Sequence, residues 1–297
     1  MDKSWLWALF TLIAAAAQTA RNAMQRELTA SLGTVGATHV RFLFGFPFAL
    51  VFLALVSTAA GLSLPRPPET FWPWVSLGAL AQILATALML AAMGERSFVV
   101  AIAYIKTEPV QVALFGLIFL GDKLTLPMVA AILIATAGIV AMSFKPTGGS
   151  GGMKPTVIGI SAGAAFALSA VGYRGAILSL ENPNFVMAAT FTLATGLVLQ
   201  ATLLSLYLAW RDRPVLYAIA KAWRPSVFAG FMGAVASQFW FLAFALATAA
   251  SVRTLALVEV LFAHGISRFV FKQPTTPREA AGIVLVVAGV ALLIWAH

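Results

Sequence analysis

Two carboxylates deep inside apolar runs constrain this chain more than any other feature. Glu108 stands ten residues from one end and twelve from the other of an otherwise apolar run of 23 residues, Phe98 to Leu120. At about 1.5 Å per residue, a helix of that length crosses a hydrocarbon layer of ~30 Å. A carboxylate near its centre costs on the order of 3 kcal/mol on insertion scales, so it is a functional candidate by default. A register shift of 151 residues brings Glu108 onto Glu259, Thr125 onto Thr276, Ala130 onto Ala281, and Ala137-Gly138 onto Ala288-Gly289. Glu259 is equally central in its own run, Ala249 to Phe271, and of the ten acids only these two lie deep in a hydrophobic segment. The chain reads as a duplicated membrane unit with one carboxylate at the heart of each copy.

Composition agrees with that reading. Hydrophobic residues make up 61% and charged residues only 10%, against about 25% charged in ordinary globular chains. Mean hydropathy is +0.94. The long apolar runs lack period-2 alternation, which predicts helices and not a barrel. Hydropathy yields ten spans: Ser4–Ala20, Leu32–Ala60, Phe71–Met93, Phe98–Leu120, Leu126–Phe144, Pro155–Leu178, Pro183–Trp210, Pro225–Ala247, Ala249–Phe271 and Pro277–Ala296. The first resembles a secretory signal in its single lysine, apolar core and small residues, but an uncleaved first helix is the expectation. Lys145–Gly152 is Gly-rich, so residues 145–154 form a linker between one five-span unit, 1–144, and another, 155–297. The net charge of +9 comes from basic residues clustered at span ends, as in Arg211 and Arg213. That pattern fits a membrane surface and removes the need for nucleic acid. Without cysteine, and with three scattered histidines, the chain offers no thiol nucleophile, no metal-ligand spacing and no cofactor motif. No enzyme chemistry is expected.

The candidate site is built around the first carboxylate. Tyr104, Glu108 and Gln111 fall at i, i+4 and i+7 on one helix face. Lys106 points elsewhere and is a poor intrahelical partner for Glu108. Pro109 removes the hydrogen bond to the Ile105 carbonyl, which sets the polar site beside a helix weakness. The alternative role for this cluster is polar glue between helices. Further candidates for substrate contact are Gln238 and Trp240 on the eighth span and Arg253 on the ninth. His264 suits either a proton relay or a packing histidine. Gln82 is the one strongly polar residue of the third span. Gln18 and Arg21 read as an interfacial amide and an anchoring cation, and Arg41 as either a cavity residue or a snorkelling one. Gly159 and Gly163 form a small-residue face for close helix contact. Thr276 and Glu279 match a capping box with Pro277 at the first helical position.

These residues carry a resemblance. Glu108-Pro109, the loop Gly121-Asp122-Lys123-Leu124-Thr125, and the matching Glu259 and Gly289 regions resemble the drug/metabolite transporter superfamily, EamA-type branch, over essentially the whole chain. Asp122 replaces the usual Glu of that loop, and the second-half loop Lys272-Gln273-Pro274 lacks an acid. The resemblance implies an all-α integral membrane protein of ten transmembrane helices, arranged as two inverted five-helix repeats around a central cavity. It also implies a secondary carrier working by alternating access, with both termini cytoplasmic. The expected setting is a bacterial plasma (inner) membrane.

The function expected is transport of a small polar metabolite, with membrane lipids as surroundings. Glu108, Glu259 and Lys106 are the substrate-binding or proton-coupling residues. A single lysine against two carboxylates leaves one carboxylate open to proton exchange. The excess of intramembrane cations favours a substrate bearing a carboxylate, such as an amino acid. The alternatives are a non-transporting scaffold or lipid-binding protein, or a carrier of a lipid-linked intermediate. Basic residues near span ends number three on the side of the termini and eleven on the other. The positive-inside rule therefore places the termini outside the cytoplasm, against the family habit. By that count, a reporter fused after His297 and active only in the cytoplasm stays silent; an active reporter favours the family orientation.

Overall fold

A computed structural model of the protein describes residues 5–95, 105–143, 153–182, 184–261 and 276–296, and every regular element among them is helical. Helix α1 spans Leu6–Leu43 and carries a kink at Gly33. There φ is +66°, a conformation that costs a side-chain-bearing residue far more than glycine. Helix α2, Phe46–Ala60, starts after a short break and carries Pro47 in its first turn, where a missing N–H is harmless. Then come α3, Phe71–Glu95, and α4, Glu108–Phe115. A π-helical turn, Gly116–Leu120, closes α4. The first half ends with α5, Leu126–Ser143.

The second half holds α6, Met153–Ser179, α7, Phe185–Arg211, and a short amphipathic α8, Arg213–Lys221. Helix α9, Trp223–Leu246, and α10, Ala249–Leu255, follow. A 3₁₀ turn, Ala256–Val258, leads from α10 into Glu259, and α11 spans Pro277–Ala296. At the start of α7, the Asn184 side chain accepts hydrogen bonds from the amides of Val186 and Met187. At the start of α11, the Thr276 amide donates to Glu279 at 2.8 Å and the Glu279 amide donates to Thr276 Oγ1 at 3.2 Å. This is the reciprocal capping box.

The distribution of polarity is that of a membrane protein. Leu9, Leu55, Leu80, Leu84, Leu206 and Val284 face outwards, while Arg21, Asn22, Gln25, Arg41, Lys106 and Glu108 are buried. Exposed aliphatic surface on that scale, wrapped around buried charge, suits a lipid solvent. Of the ten expected spans, six helices among the described residues are long and apolar enough to cross a bilayer, and Glu108–Leu120 and Leu126–Met142 are shorter apolar helices. The expected stop of the first span at Ala20 needs correction, because the helix continues to the Gly33 kink. Hydropathy drops after Ala20 through Arg21, Asn22 and Gln25, which face the protein interior, and through the exposed Arg26 and Glu27. Residues 145–152 of the expected linker lie outside the described residues, and Met153 already begins α6.

Three helix pairings dominate: α3 with α6, α1 with α9, and α5 with α11. Small residues set their spacing. A Cβ added at Gly172 would sit 2.6 Å from the Gly78 backbone nitrogen where α6 crosses α3. In the α5–α11 pair, a Cβ at Gly138 would lie 2.7 Å from the Gly282 carbonyl, and one at Gly289 would lie 2.8 Å from the Ala131 carbonyl. The shift of 151 residues carries Gly138 onto Gly289 and Ala131 onto Gly282, so the two contacts are images of one another. Because Met142 lies by Gly282 and Ala131 by Gly289, the two helices run antiparallel.

Substituting Gly282 by Val should push α5 away from α11, since the added Cβ meets the Met142 side chain and lies 2.7 Å from the Gly138 carbonyl oxygen. The expected loss is about 1–3 kcal/mol of stability, read as a lower thermal midpoint in detergent. An unchanged midpoint contradicts the close antiparallel contact.

Candidate functional site

Each central carboxylate follows directly on an interruption of helix. Lys106 and Thr107 form a turn between Ile105 and Glu108, and Glu108 is the first residue of α4. The second copy repeats the arrangement, with the 3₁₀ turn Ala256–Val258 immediately before Glu259. In the first copy the cause is Pro109, which cannot donate to the Ile105 carbonyl. In the second, Val260 stands at that position, and nothing in the local sequence explains the turn. Gly163 of α6 packs on the first interruption, where an added Cβ would be 3.0 Å from the Ile105 oxygen. As the first residue of α4, Glu108 also sits at the positive end of that helix's dipole.

The two carboxylates are neutralised across the halves. Lys106 Nζ lies 2.6 Å from Glu259 Oε2, and Arg253 Nε lies 3.0 Å from Glu108 Oε1. Each half therefore supplies the cation for the other half's carboxylate. This corrects the expectation that a single lysine stands against two carboxylates and leaves one of them without a cation. Arg253 is the second counter-ion, invisible from spacing because it stands 145 positions away in sequence. Glu259 also accepts a hydrogen bond from Thr19 Oγ1 at 2.8 Å. The Arg253–Glu108 contact lacks hydrogen-bond alignment, and the guanidinium carbon lies over aromatic rings, 4.3 Å from the Trp240 centroid and 5.4 Å from that of Phe244. Ring quadrupoles thus share the stabilisation of this charge.

Two small adjoining cavities of about 10 and 20 Å³ flank these pairs. Each has room for about one water molecule. Gln18, Phe166 and Arg253 line both; Arg41, Gln82, Tyr173, Ser237 and Trp240 belong to the first, and Arg21, Asn22, Lys106 and Glu108 to the second. Trp240 Nε1 donates to Gln18 Oε1 at 3.0 Å. Gln82 Oε1 accepts from Gln200 Nε2 at 2.9 Å and from the Tyr173 hydroxyl at 3.4 Å.

Of the candidates from sequence, Glu108, Lys106, Arg253 and Trp240 line the cavities, and Glu259 joins them through Lys106. Gln111 packs towards Gly163 of α6, and Gln238 donates to Thr190 of α7 at 2.8 Å; neither lines these two cavities. Tyr104 and His264 lie outside the described residues. Sequence reasoning placed Gln18 and Arg21 at an interface, yet Arg21 is buried, which also leaves ten of the eleven interface cations. The signal was present: Gln18, Arg21, Asn22 and Gln25 follow helical spacing and form one polar stripe on a continuing helix. Arg174 serves structure, donating to the Phe244 carbonyl at 2.6 Å and to that of Ala247, with Asp122 3.5 Å away. It caps the end of α9.

Comparison with known proteins adds the family. The sequence profile of the EamA-like transporter family matches residues 5–144 and again 153–295. No curated protein sequence matches the chain. A protein of known crystal structure is similar over 98% of this chain and 95% of its own, with 17% identity and a TM-score of 0.70, a likeness of fold alone.

Replacing Arg253 by Ala leaves Glu108 buried without its cation, and stability should fall by about 3–5 kcal/mol. Adding Glu108→Gln to that variant should restore part of the loss, read as a positive coupling in a double-mutant cycle. Additive losses contradict the pair.

Proposed function

The chain belongs to the EamA-like transporter family, and we propose that it is a secondary active carrier of a small polar metabolite bearing a carboxylate or similar anionic group. The carrying observation is the crossed set of ion pairs. Lys106–Glu259 and Arg253–Glu108 join the two halves at the buried centre, beside helix interruptions that recur at the same register. Interrupted helices at the membrane midplane are the usual place for carrier binding sites, since their loosened backbone tolerates rearrangement only where protein or water surrounds it.

The antiparallel α5–α11 pair, with its image-related contacts, supports an inverted repeat. So does the exchange of halves that turns the α3–α6 pairing into the α9–α1 pairing. In this reading the cavities, each too small for a metabolite, belong to an occluded arrangement. Alternating access opens them by moving one half against the other, and that movement must part or re-form the ion pairs. A substrate anion competes with Glu108 for Arg253 and with Glu259 for Lys106. A proton delivered to either carboxylate releases the same cation, which couples proton and substrate through shared partners. The resident membrane is a bacterial plasma membrane.

In proteoliposomes, Glu108→Gln and Glu259→Gln should each abolish pH-driven accumulation while leaving exchange at equal pH measurable. If both variants keep pH-driven transport, the coupling mechanism is wrong. The closed pairing of both carboxylates also favours a non-transporting scaffold as the second reading. In that case the variants lose thermal stability and the wild-type protein moves no solute.

A further inference from the structure

Among the described residues, two buried guanidiniums near the ion pairs have no carboxylate of their own. Arg21 is 1% exposed and Arg41 2%. Their stems converge over Gly233, where an added Cβ would lie 3.3 Å from Arg21 Cδ and 3.3 Å from Arg41 Cγ. Each lines one of the two adjoining cavities. Among the described residues, Arg21 bonds only Asn22 Oδ1, at 2.7 Å, and Arg41 reaches Thr86 Oγ1 at 3.1 Å and Ser237 Oγ at 3.5 Å. Nε and one terminal nitrogen of Arg21, together with Nε of Arg41, are buried without a hydrogen-bond partner among the described residues.

The charge count of this centre is unbalanced. Among the described residues, Arg21, Arg41, Lys106 and Arg253 face Glu108 and Glu259, and the two carboxylates already hold Lys106 and Arg253. Two positive charges remain. The ring of Phe42, 5.3 Å from Arg41, and the hydroxyls of Thr86 and Ser237 contribute dipoles and a quadrupole but no charge. An uncompensated buried charge is strongly unfavourable, and guanidinium cannot relieve it by giving up its proton as lysine does. Arginine's planar fork matches carboxylate and phosphate geometry.

We infer that the ligand of the central site is a water-soluble dianion, a dicarboxylate or a phosphate monoester, held between Arg21 and Arg41. The inference rests on the carrier reading and sharpens it from an anionic metabolite to a doubly charged one. The ion pairs of Glu108 and Glu259 then form the movable part of the site, and Arg21 and Arg41 the part that recognises charge.

The test is a thermal-shift titration of the purified full-length protein with probes matched in shape and graded in charge: succinate, monomethyl succinate, succinamide and putrescine. Glycerol 3-phosphate against glycerol, and phosphatidate in mixed micelles, complete the set. Ligand binding to the native state raises its apparent stability. Succinate or glycerol 3-phosphate should stabilise the protein, monomethyl succinate should need about ten-fold more for the same shift, and the neutral and cationic probes should do nothing. Arg41→Gln should erase the preference for succinate over its monomethyl ester, whereas Arg21→Lys should retain it. Where a variant fails to fold, the wild-type series alone decides.

Preference for a neutral or cationic probe overturns the inference, as does stabilisation by phosphatidate alone or by no probe. Exchange in proteoliposomes separates the two readings. A neutral probe that binds and is exchanged removes the dianion and keeps the carrier. A dianion that binds without being exchanged keeps the site and removes the carrier.

Discussion

Charge in a medium of low polarity is the constraint on which this structure depends. A carboxylate or guanidinium at the centre of a bilayer must meet an opposite charge, a hydrogen-bond donor or a ring face, because water is not at hand. The protein meets that demand by exchange between its halves. Lys106 of the first half serves Glu259 of the second, and Arg253 of the second serves Glu108 of the first. Neither half is electrically complete by itself. Association of the halves is therefore tied to the same groups that would engage a solute, and a motion that separates them must bring in a replacement charge.

Close packing makes that exchange geometrically possible. Glycines let α3 lie against α6 and α5 against α11 at backbone contact, and without water to drive apolar association such van der Waals contact is the main attraction between helices in lipid. Gly163 brings α6 against the Ile105 carbonyl at the first interruption, and Gly233 clears the room into which Arg21 and Arg41 extend. The long first helix, continuous past Ala20 to its kink at Gly33, carries Gln18, Thr19 and Arg21 to the level of the ion pairs. Polar groups that read as a helix end thus become part of the interior wall.

The division of labour among cations follows from their surroundings. Arg253 lies on Trp240 and Phe244 and faces Glu108. Arg174 is spent on the carbonyls that end α9 and on Asp122, which gives the acid of the loop after the π-helical turn a structural task. Among the described residues, Arg21 and Arg41 have only neutral hydrogen-bond partners. Similar residues, all counted together as intramembrane or interfacial cations by sequence, differ in the one respect that matters for a ligand: whether a carboxylate already holds them.

What sequence alone determined was the membrane class, the duplication and the two carboxylates at its centre. Hydropathy and register are one-dimensional properties, and the burial of an ionisable group in an apolar run is expensive wherever the chain goes. The interruption at Glu108 was also legible, through Pro109. Only tertiary structure decided the partners. Arg253 meets Glu108 across 145 positions, Trp240 meets Gln18 across 222, and Gln111 and Gln238 turn to neighbouring helices and away from the cavities. Helical spacing defines which residues share a face but not which helix that face will meet. That depends on where glycine and alanine permit two backbones to touch, a property of pairs of helices that neither sequence segment carries by itself.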